Sequence, residues 1–516
     1  MPQVLASSRD TLLSRFGDSL CVASMYESEN GGLFLVREGE RRYLCVLAEP
    51  GSRLLDGFEG SIEALGAGRV VRVCPTTREN CEALRRVAGW LRPRPLGLER
   101  SFGFGDRLGI ATPGHARAMA AANANSSRWP MRPVFAQQSI REMMRTKRSP
   151  QEVMDDATWG AFEGGWREGV GADADHLKTL EDVDLCVVAG FTLFTIDPGA
   201  YVDAGADRNE PAAMRAKVAA LPWAELETSS ADLSRRYAGV KVELGNRALL
   251  IEGDSLLTSA AKYGRAVAHV VKMARYLAEK NVDYELEISV DETETPTSAE
   301  DHFYVASELK RLGIRWVSLA PRYVGAFEKG IDYRGDLSSL RTNMIEHACI
   351  AAQIGPYKLG LHSGSDKFSV YPLIREATGG LVHVKTAGTS YMEGLRVIAN
   401  LEPKLFREIA TLAIERYPED RRSYHVSADL ASVPVLSKLQ DAMLPRLLDE
   451  DPARQVLHVT FGSVLDRYGS ELKAVLVTHL EGYYQALEKH FVRHLGPLCG
   501  LEVGQAATGR PSGSFD

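Results

Sequence analysis

Two aspartates and a histidine stand within four positions in the stretch "GADADHLKT": Asp173, Asp175 and His176. A carboxylate beside an imidazole is a pairing that holds a divalent metal or moves a proton. The same residues also make a solvated turn that caps the following helix. A second acidic series, Glu285, Glu287, Ser289 and Asp291 in "YELEISVDE", shares one strand face by the period of two. Acids on an inward face are costly to bury unless they meet a cation or a metal. A structural ion-pair layer is the plain alternative, and it suits Glu285 better than Glu287. Glu292 and Glu294 fall on the other parity or in the next loop and are expected to be solvated.

Further along, "KLGLHSGSDKF" sets His362 directly after an apolar run and before a Ser/Gly turn whose backbone N–H groups could hold anionic oxygens. "HVKTAGTS" adds His383 and Lys385 on one strand face, then Thr386 and Gly388. Lys385 would neutralise a carboxylate or an enolate oxygen. Asp366, Lys367, Lys385 and Thr386 are the expected substrate-binding residues. With His176 and His362 at two strand ends, a divalent cation is the simplest reason for acids to gather there. A catalytic site of that kind needs three protein ligands and an open position. Glu328, in "APRYVGAFEKGIDY", is best placed by chain order to be the third, with Glu287 and His383 as competitors. Mixed N/O ligands suit Zn, Mn, Ni or Co about equally. His347 reads as structural, and His302, His425, His458, His479, His490 and His494 lack a supporting cluster. "GFGDRLG" misses the dinucleotide fingerprint because its third glycine comes one residue late, and neither a phosphate-cradling loop nor a nucleophile elbow is found.

The elements that must position these residues alternate. Nine short apolar runs with polar C-terminal ends are separated by helical stretches: "SFGFGDRLG", "PVFAQQS", "EGVGADADH", "LFTIDPG", "YELEISVDE", "RWVSLAP", "YKLGLHSG", "LVHVKTAG" and "SYHVSAD". Such alternation implies a parallel sheet with helices outside it. Polar residues at strand C-termini are what the catalytic face of a (β/α)8 TIM-like barrel presents, so one run is expected to be an insertion or accessory strand. A doubly wound open sheet is the other arrangement considered. Residues 1–95 read as a small N-terminal α/β unit, 96–430 as the catalytic barrel, 431–500 as a helical C-terminal extension, and 501–516 as a disordered tail.

Composition bounds the function. The 516 residues are 45% hydrophobic and 25% charged, with a net charge of −7 and no basic block to recruit nucleic acid or an anionic membrane. No apolar run reaches the roughly 20 residues of a membrane helix, and the N-terminus lacks the order of a signal peptide. Seven scattered cysteines without a CxxC pair fit reduced thiols. A cytoplasmic enzyme acting on a small molecule is expected, and a homo-oligomer is left open.

The motifs "SFGFGDRLGIATPGH", "GADADHLKT", "LHSGSDKFSVYP" and "HVKTAGTSY" resemble the tagaturonate epimerase family over about residues 100–430. Members interconvert tagaturonate and fructuronate, and some relatives act on tagatose and fructose. The resemblance implies a metal-dependent barrel enzyme. "ADH" at Asp175–His176 and "LGLHSGS" at His362 also resemble, more weakly, the class II metal-dependent aldolases. That likeness implies His176 and His362 as metal ligands, Asp175 as an acid/base and Glu287 as the second proton-transfer group. Ser363 stands where such aldolases often carry glycine and their "SHG" ligand motif is missing, so the third ligand stays open. The inverted carbon would lie β to the ketone, beyond the reach of simple enolisation, which leaves retro-aldol cleavage and reclosure or a transient oxidation for which no nicotinamide fingerprint is present. A class II-like sugar aldolase and a non-catalytic sugar-binding barrel are the alternatives.

Overall fold

The computed structural model describes residues 4–66, 68–126, 128–208 and 210–501. The tail expectation for 501–516 therefore lies, apart from Leu501, outside the described residues.

The chain opens with five antiparallel strands: β1 (Leu20–Ser28), β2 (Gly31–Glu38), β3 (Arg41–Ala48), β4 (Ser61–Gly66) and β5 (Arg69–Pro75), in the order β1-β2-β3-β5-β4. Strand alternation sorts its side chains onto two faces. Phe34, Val36, Cys45 and Leu47 pack with Leu5 and Leu12 of the helix Val4–Phe16. Leu33, Leu35, Leu44 and Val46 join the main core beneath. Both faces are covered, so β2 reads as a continuous apolar run rather than an alternation.

Eight parallel strands then close into a barrel: β6 (Ser101–Phe104), β7 (Arg132–Ser139), β8 (Gly171–Leu177), β9 (Leu193–Ile196) and, after a hairpin of β10 (Lys241–Glu243) and β11 (Ala248–Leu250), β12 (Glu285–Ser289), β13 (Ser318–Ala320), β14 (Lys358–Leu361) and β15 (Val382–Thr386). The ring closes where β15 pairs with β6, His383 beside Ser101 and Thr386 beside Phe104. It is a (β/α)8 barrel rather than an open sheet. Eight of the nine runs are its strands. The ninth, "SYHVSAD", forms no strand: the closed ring has no free edge to accept it, and the segment crosses the barrel mouth as a loop.

The near-fingerprint after β6 is filled from within. Asp106 accepts from the N–H groups of Leu108, Gly109 and Ala111 at 2.8–2.9 Å. After the barrel come the helices Asp451–Val459, Phe461–Thr478 and Leu480–Leu498. The last lies against the helix Thr112–Ala124 so closely that a Cβ on Gly114 would meet the Leu487 side chain at 2.7 Å. Among the described residues no helix is long and apolar enough to cross a membrane.

Three parts of the chain meet at Glu163, the last residue of the helix Pro150–Glu163. Arg37 of β2 grips its carboxylate through Nε at 2.9 Å and Nη2 at 2.7 Å, and the Tyr484 hydroxyl donates to it at 3.1 Å. Burial alone would raise the Glu163 carboxyl, but Arg37 and Arg42 hold it below its usual range. Arg37→Met leaves that charge buried and under-compensated, at a cost of about 3–5 kcal/mol. Stability from a depressed carboxyl is present above its unfolded pKa and is lost as pH falls through the folded one. In the variant the carboxyl is raised instead and is relieved by protonation. The melting-temperature gap between wild type and Arg37→Met, measured by calorimetry, is therefore expected to be widest near pH 7 and to narrow toward pH 4.

Candidate active site

The barrel interior is polar where such barrels are ordinarily filled with branched apolar side chains. Lys385, pointing inward from β15, places Nζ 2.6 Å from Asp173 of β8, 2.6 Å from Glu287 of β12 and 2.9 Å from Asp175. Thr195 of β9 completes its shell at 2.5 Å. All are buried. Burial would lower the lysine, yet the three carboxylates push it well above its ordinary value. In return Lys385 helps to hold Asp175 and Glu287 far below the usual carboxylate range against their own burial.

Above this lysine two histidines and an aspartate converge. His362 Nδ1 lies 3.1 Å from Asp291 Oδ1, and His176 Nε2 lies 3.5 Å from the same oxygen. The Ser289 hydroxyl sits between them, 3.4 Å from His176 Nε2 and 3.3 Å from His362 Nδ1. One donor atom from each of His176, Asp291 and His362 falls within 4.8 Å of the other two. Each imidazole is held from behind by a carboxylate: His176 Nδ1 by Asp175 at 2.7 Å and His362 Nε2 by Glu287 at 3.0 Å. Two imidazoles, a carboxylate and an acid behind each ring form a donor set that fits a divalent cation. The same acids also favour protonated rings. Burial opposes this, but Asp175 raises His176 well above its usual value, and Glu287 and Asp291 raise His362 to about 9.

Local backbone geometry explains how neighbours Asp175 and His176 both face the mouth. In a regular strand they would point to opposite sides. Here the register of β8 against β9 shifts between Ala174 and Leu177, and His176 takes the left-handed region at φ +56°. The bulge re-aims the ring into the barrel. Ser363, directly after His362, is also left-handed at φ +52°. Non-glycine residues in this region carry strain that the surrounding fold must outweigh.

A cavity of about 470 Å³ opens from Asp291 and His362. Its other walls include Glu292, Arg322, Tyr323, Phe327, Lys329, Tyr424 and His425. It is thus built over the tips of β12, β13 and β14, with the "SYHVSAD" loop as its far wall.

A family model described as UxaE, tagaturonate epimerase, matches residues 22–498. The chain belongs to the tagaturonate epimerase family. It is 42% identical over 486 residues to the tagaturonate/fructuronate epimerase of Thermotoga maritima, covering 92% of this chain and 96% of that one. Crystal structures of the fructuronate-tagaturonate epimerase UxaE from Cohnella laeviribosi superpose with TM-scores of 0.87 for the native form and 0.86 for a glycerol complex. Both are 34% identical and cover 96% of this chain and 99% of theirs. The likeness to this epimerase family therefore takes in the N-terminal sheet and the C-terminal helices, beyond the span of about 100–430 read from motifs.

Among the expected site residues, Asp175, His176, Glu287, His362 and Lys385 are brought together. Others are placed differently. The Glu328 carboxylate is taken by Ser427, through backbone N at 3.0 Å and hydroxyl at 2.7 Å, and by Gln455 at 2.7 Å, so it does not join the histidine cluster. His383 lies deeper, bonded to Ser101 at 2.8 Å, where Lys385 is already the cation for Asp173 and Glu287. Lys385 is occupied by acids of the chain itself. Lys367 donates to the carbonyls of Glu328, Ser365 and Ile331, and Thr386 donates to that of Gly103 at 2.8 Å. Asp366 is buried between Arg454, His490 and His494, a cluster absent from the motif reading because its members lie about 90 to 130 residues away. The turn after His362 also has fewer free N–H groups than expected: Gly364 donates to Lys385 O, Asp366 to His494 and Lys367 to Tyr371. Asp291 was legible as a partner of Glu287 by strand parity. Arg322, Tyr424 and His425 gave no local signal.

Replacing Lys385 with methionine removes the cation common to Asp173, Asp175 and Glu287. Lys385→Met is expected to lose more than the roughly 3–5 kcal/mol typical of a broken buried pair. Because the uncompensated groups are acids, the loss should be largest at neutral and higher pH and smaller near pH 4–5, read as melting temperature across that range.

Proposed function

We propose that this protein interconverts tagaturonate and fructuronate by inverting the hydroxyl-bearing carbon β to the ketone, with a divalent cation held by His176, Asp291 and His362. The observation that carries this reading is the convergence of those three donors beside a cavity, on a chain of this epimerase family. When bound, such a cation supplies Lewis-acid polarisation of the substrate's keto oxygen and neighbouring hydroxyl.

The chain's own residues do the rest. Asp175 and Glu287 keep a proton on the outer nitrogen of each histidine and so present the opposite lone pair to the cavity. Both acids act by holding those rings rather than by moving substrate protons, and Glu287 is fully enclosed by His362, Lys385, Thr195 and Ser318. Glu292 lines the cavity, and burial, which would raise it, is outweighed by His176, Lys329 and Arg141, leaving it at about 2. As an anion at that wall it can accept a hydrogen bond from the β-hydroxyl and take up its proton as the C–C bond opens. Loss of that proton breaks the adjacent C–C bond, the electron pair passes into the ketone as an enediolate, and an aldehyde is freed. The aldehyde turns within the cavity and closes with its other face, returning the proton. Tyr323 and Phe327 in the wall limit the water that could trap the fragments. The C–H bond at the inverted carbon is never broken.

Proton NMR of tagaturonate in D2O is the direct test. Metal-replete protein is expected to form fructuronate without deuterium at the inverted carbon, and EDTA-treated protein to form none. Deuterium at that carbon would replace retro-aldol chemistry by direct deprotonation. Accumulation of two fragments would make the protein an aldolase. Turnover of tagatose or fructose in parallel samples defines how far a neutral ketose is accepted.

The ligand assignment has its own readout. By elemental analysis after dialysis, Asp291→Asn is expected to retain little of the metal that wild type keeps, and Glu328→Gln to retain it in full. Glu287→Gln should bind metal about 10- to 100-fold more weakly, as loss of a partner behind a ligating histidine typically does. Equal retention by Asp291→Asn and wild type would exclude Asp291 as a ligand.

A further inference from the structure

A hexuronate brings a carboxylate into a cavity whose walls already carry Asp291, Glu292 and Glu294. A substrate anion there needs a cation that is not already neutralised. Lys385 lies below, saturated by three acids. Lys329 lines the cavity but donates to Ser363 at 2.7 Å and stands 3.7 Å from Glu292. Arg141 is paired with Glu292 at 3.0 Å.

Arg322 differs from all of these. It lines the cavity, and among the described residues its guanidinium has neither an ion-pair partner nor a hydrogen-bond acceptor. Its Nε is fully buried with its donor unmet. Leaving a buried charged donor without an acceptor is unfavourable, so the position is one that an incoming acceptor would stabilise. The backbone that carries it is fixed: Arg322 N donates to the Thr297 hydroxyl at 3.1 Å, and Thr297 N donates to Arg322 O at 2.9 Å. Strand parity aims it as well. Ser318 reaches Glu287 inside the barrel at 2.7 Å, Ala320 comes up against Gly360 on the same interior face, and Arg322 is the next position in that series, beyond the end of β13. Ala320 pairs with Ser289, so Arg322 rises from the strand tip adjoining that of Asp291.

We propose that Arg322 is the specificity-determining residue that receives the carboxylate of the hexuronate. The proposal rests on the epimerase reading above for its substrate class. A planar guanidinium with a free fork matches a carboxylate through two parallel hydrogen bonds, which a lysine cannot reproduce. The substrate would then lie with its anionic end under β13 and its ketone end toward His176, Asp291 and His362.

Calorimetric binding of tagaturonate and of its uncharged primary amide, to metal-replete wild type and to Arg322→Gln, Arg322→Lys and Lys329→Gln, tests this. Wild type is expected to prefer the carboxylate over the amide by roughly tenfold or more, as a charge-assisted pair would give. Arg322→Gln should lose that preference while binding the amide within about twofold of wild type, Arg322→Lys should keep part of it, and Lys329→Gln most of it. A preference unchanged in Arg322→Gln, one abolished by Lys329→Gln instead, or none in wild type would each overturn the proposal. Metal content and melting temperature equal to wild type establish that Arg322→Gln is folded and loaded. Turnover measured alongside separates the two readings. Tight carboxylate-selective binding that yields no fructuronate would fail the epimerase assignment and leave Arg322 standing.

Discussion

Everything at the mouth of the barrel rests on one buried ammonium group. Three carboxylates within 3 Å of Lys385 Nζ could not share a buried barrel interior as anions without it, because they would have to take up protons or open the structure to solvent. Held as anions, two of them, Asp175 and Glu287, become strong acceptors for the rings of His176 and His362. The lysine therefore acts on the candidate metal ligands at one remove. It fixes the charge of the acids, the acids hold the orientation and tautomer of the histidines, and the nitrogen left facing the cavity offers its lone pair. An Arg in its place would bring a longer, forked group into a space bounded by Thr195 and the three carboxylates, so a compact point charge suits this site.

The C-terminal helices matter to the site through the loops they hold. Arg454 and His490 bind Asp366 at 2.6 Å each, and His494 accepts from its backbone N–H. Gln455 and Ser427 close on Glu328, while Lys367 ties the carbonyl of Glu328 to the loop after β14. Two loops, one following β13 and one following β14, are thus bound to each other and to the helices outside the barrel. This arrangement braces the loop in which Ser363 and Asp366 are left-handed without being glycine. It also gives a reason for the family likeness to extend to residue 498 rather than to stop at the last barrel strand.

What the sequence disclosed follows from the range of each interaction. Strand parity and motif spacing are local, so they exposed the inward series Glu285–Glu287–Ser289–Asp291, the Asp175–His176 pair and the alternation of strands and helices. The count of nine runs was one too many because hydrophobic patterning cannot report that a sheet has closed. That depends on β15 finding β6, nearly 300 residues earlier in the chain. Chain order places Glu328 after a strand tip but does not say which way it turns. Its partners Ser427 and Gln455 lie 99 and 127 positions away. Lys385 was seen as a cation for substrate because its three acids belong to two other strands, and only the closed ring brings them onto it.

The same distinction bears on how charge is used in this cavity. Of the cations expected or found near the substrate, Lys385, Lys367, Lys329 and Arg141 each have an acceptor supplied by the chain. A cation that is already paired inside a protein contributes little new attraction, since a ligand must compete with a partner that is held in place at no further entropic cost. Counting basic residues around a pocket therefore overstates its affinity for anions. What selects a charged substrate is a charge the fold has positioned and left unpaired, as at Arg322, facing walls that Asp291 and Glu292 keep negative. The acids would repel a carboxylate placed anywhere else in the cavity, so attraction at one end and repulsion at the other orient the sugar acid before any chemistry begins.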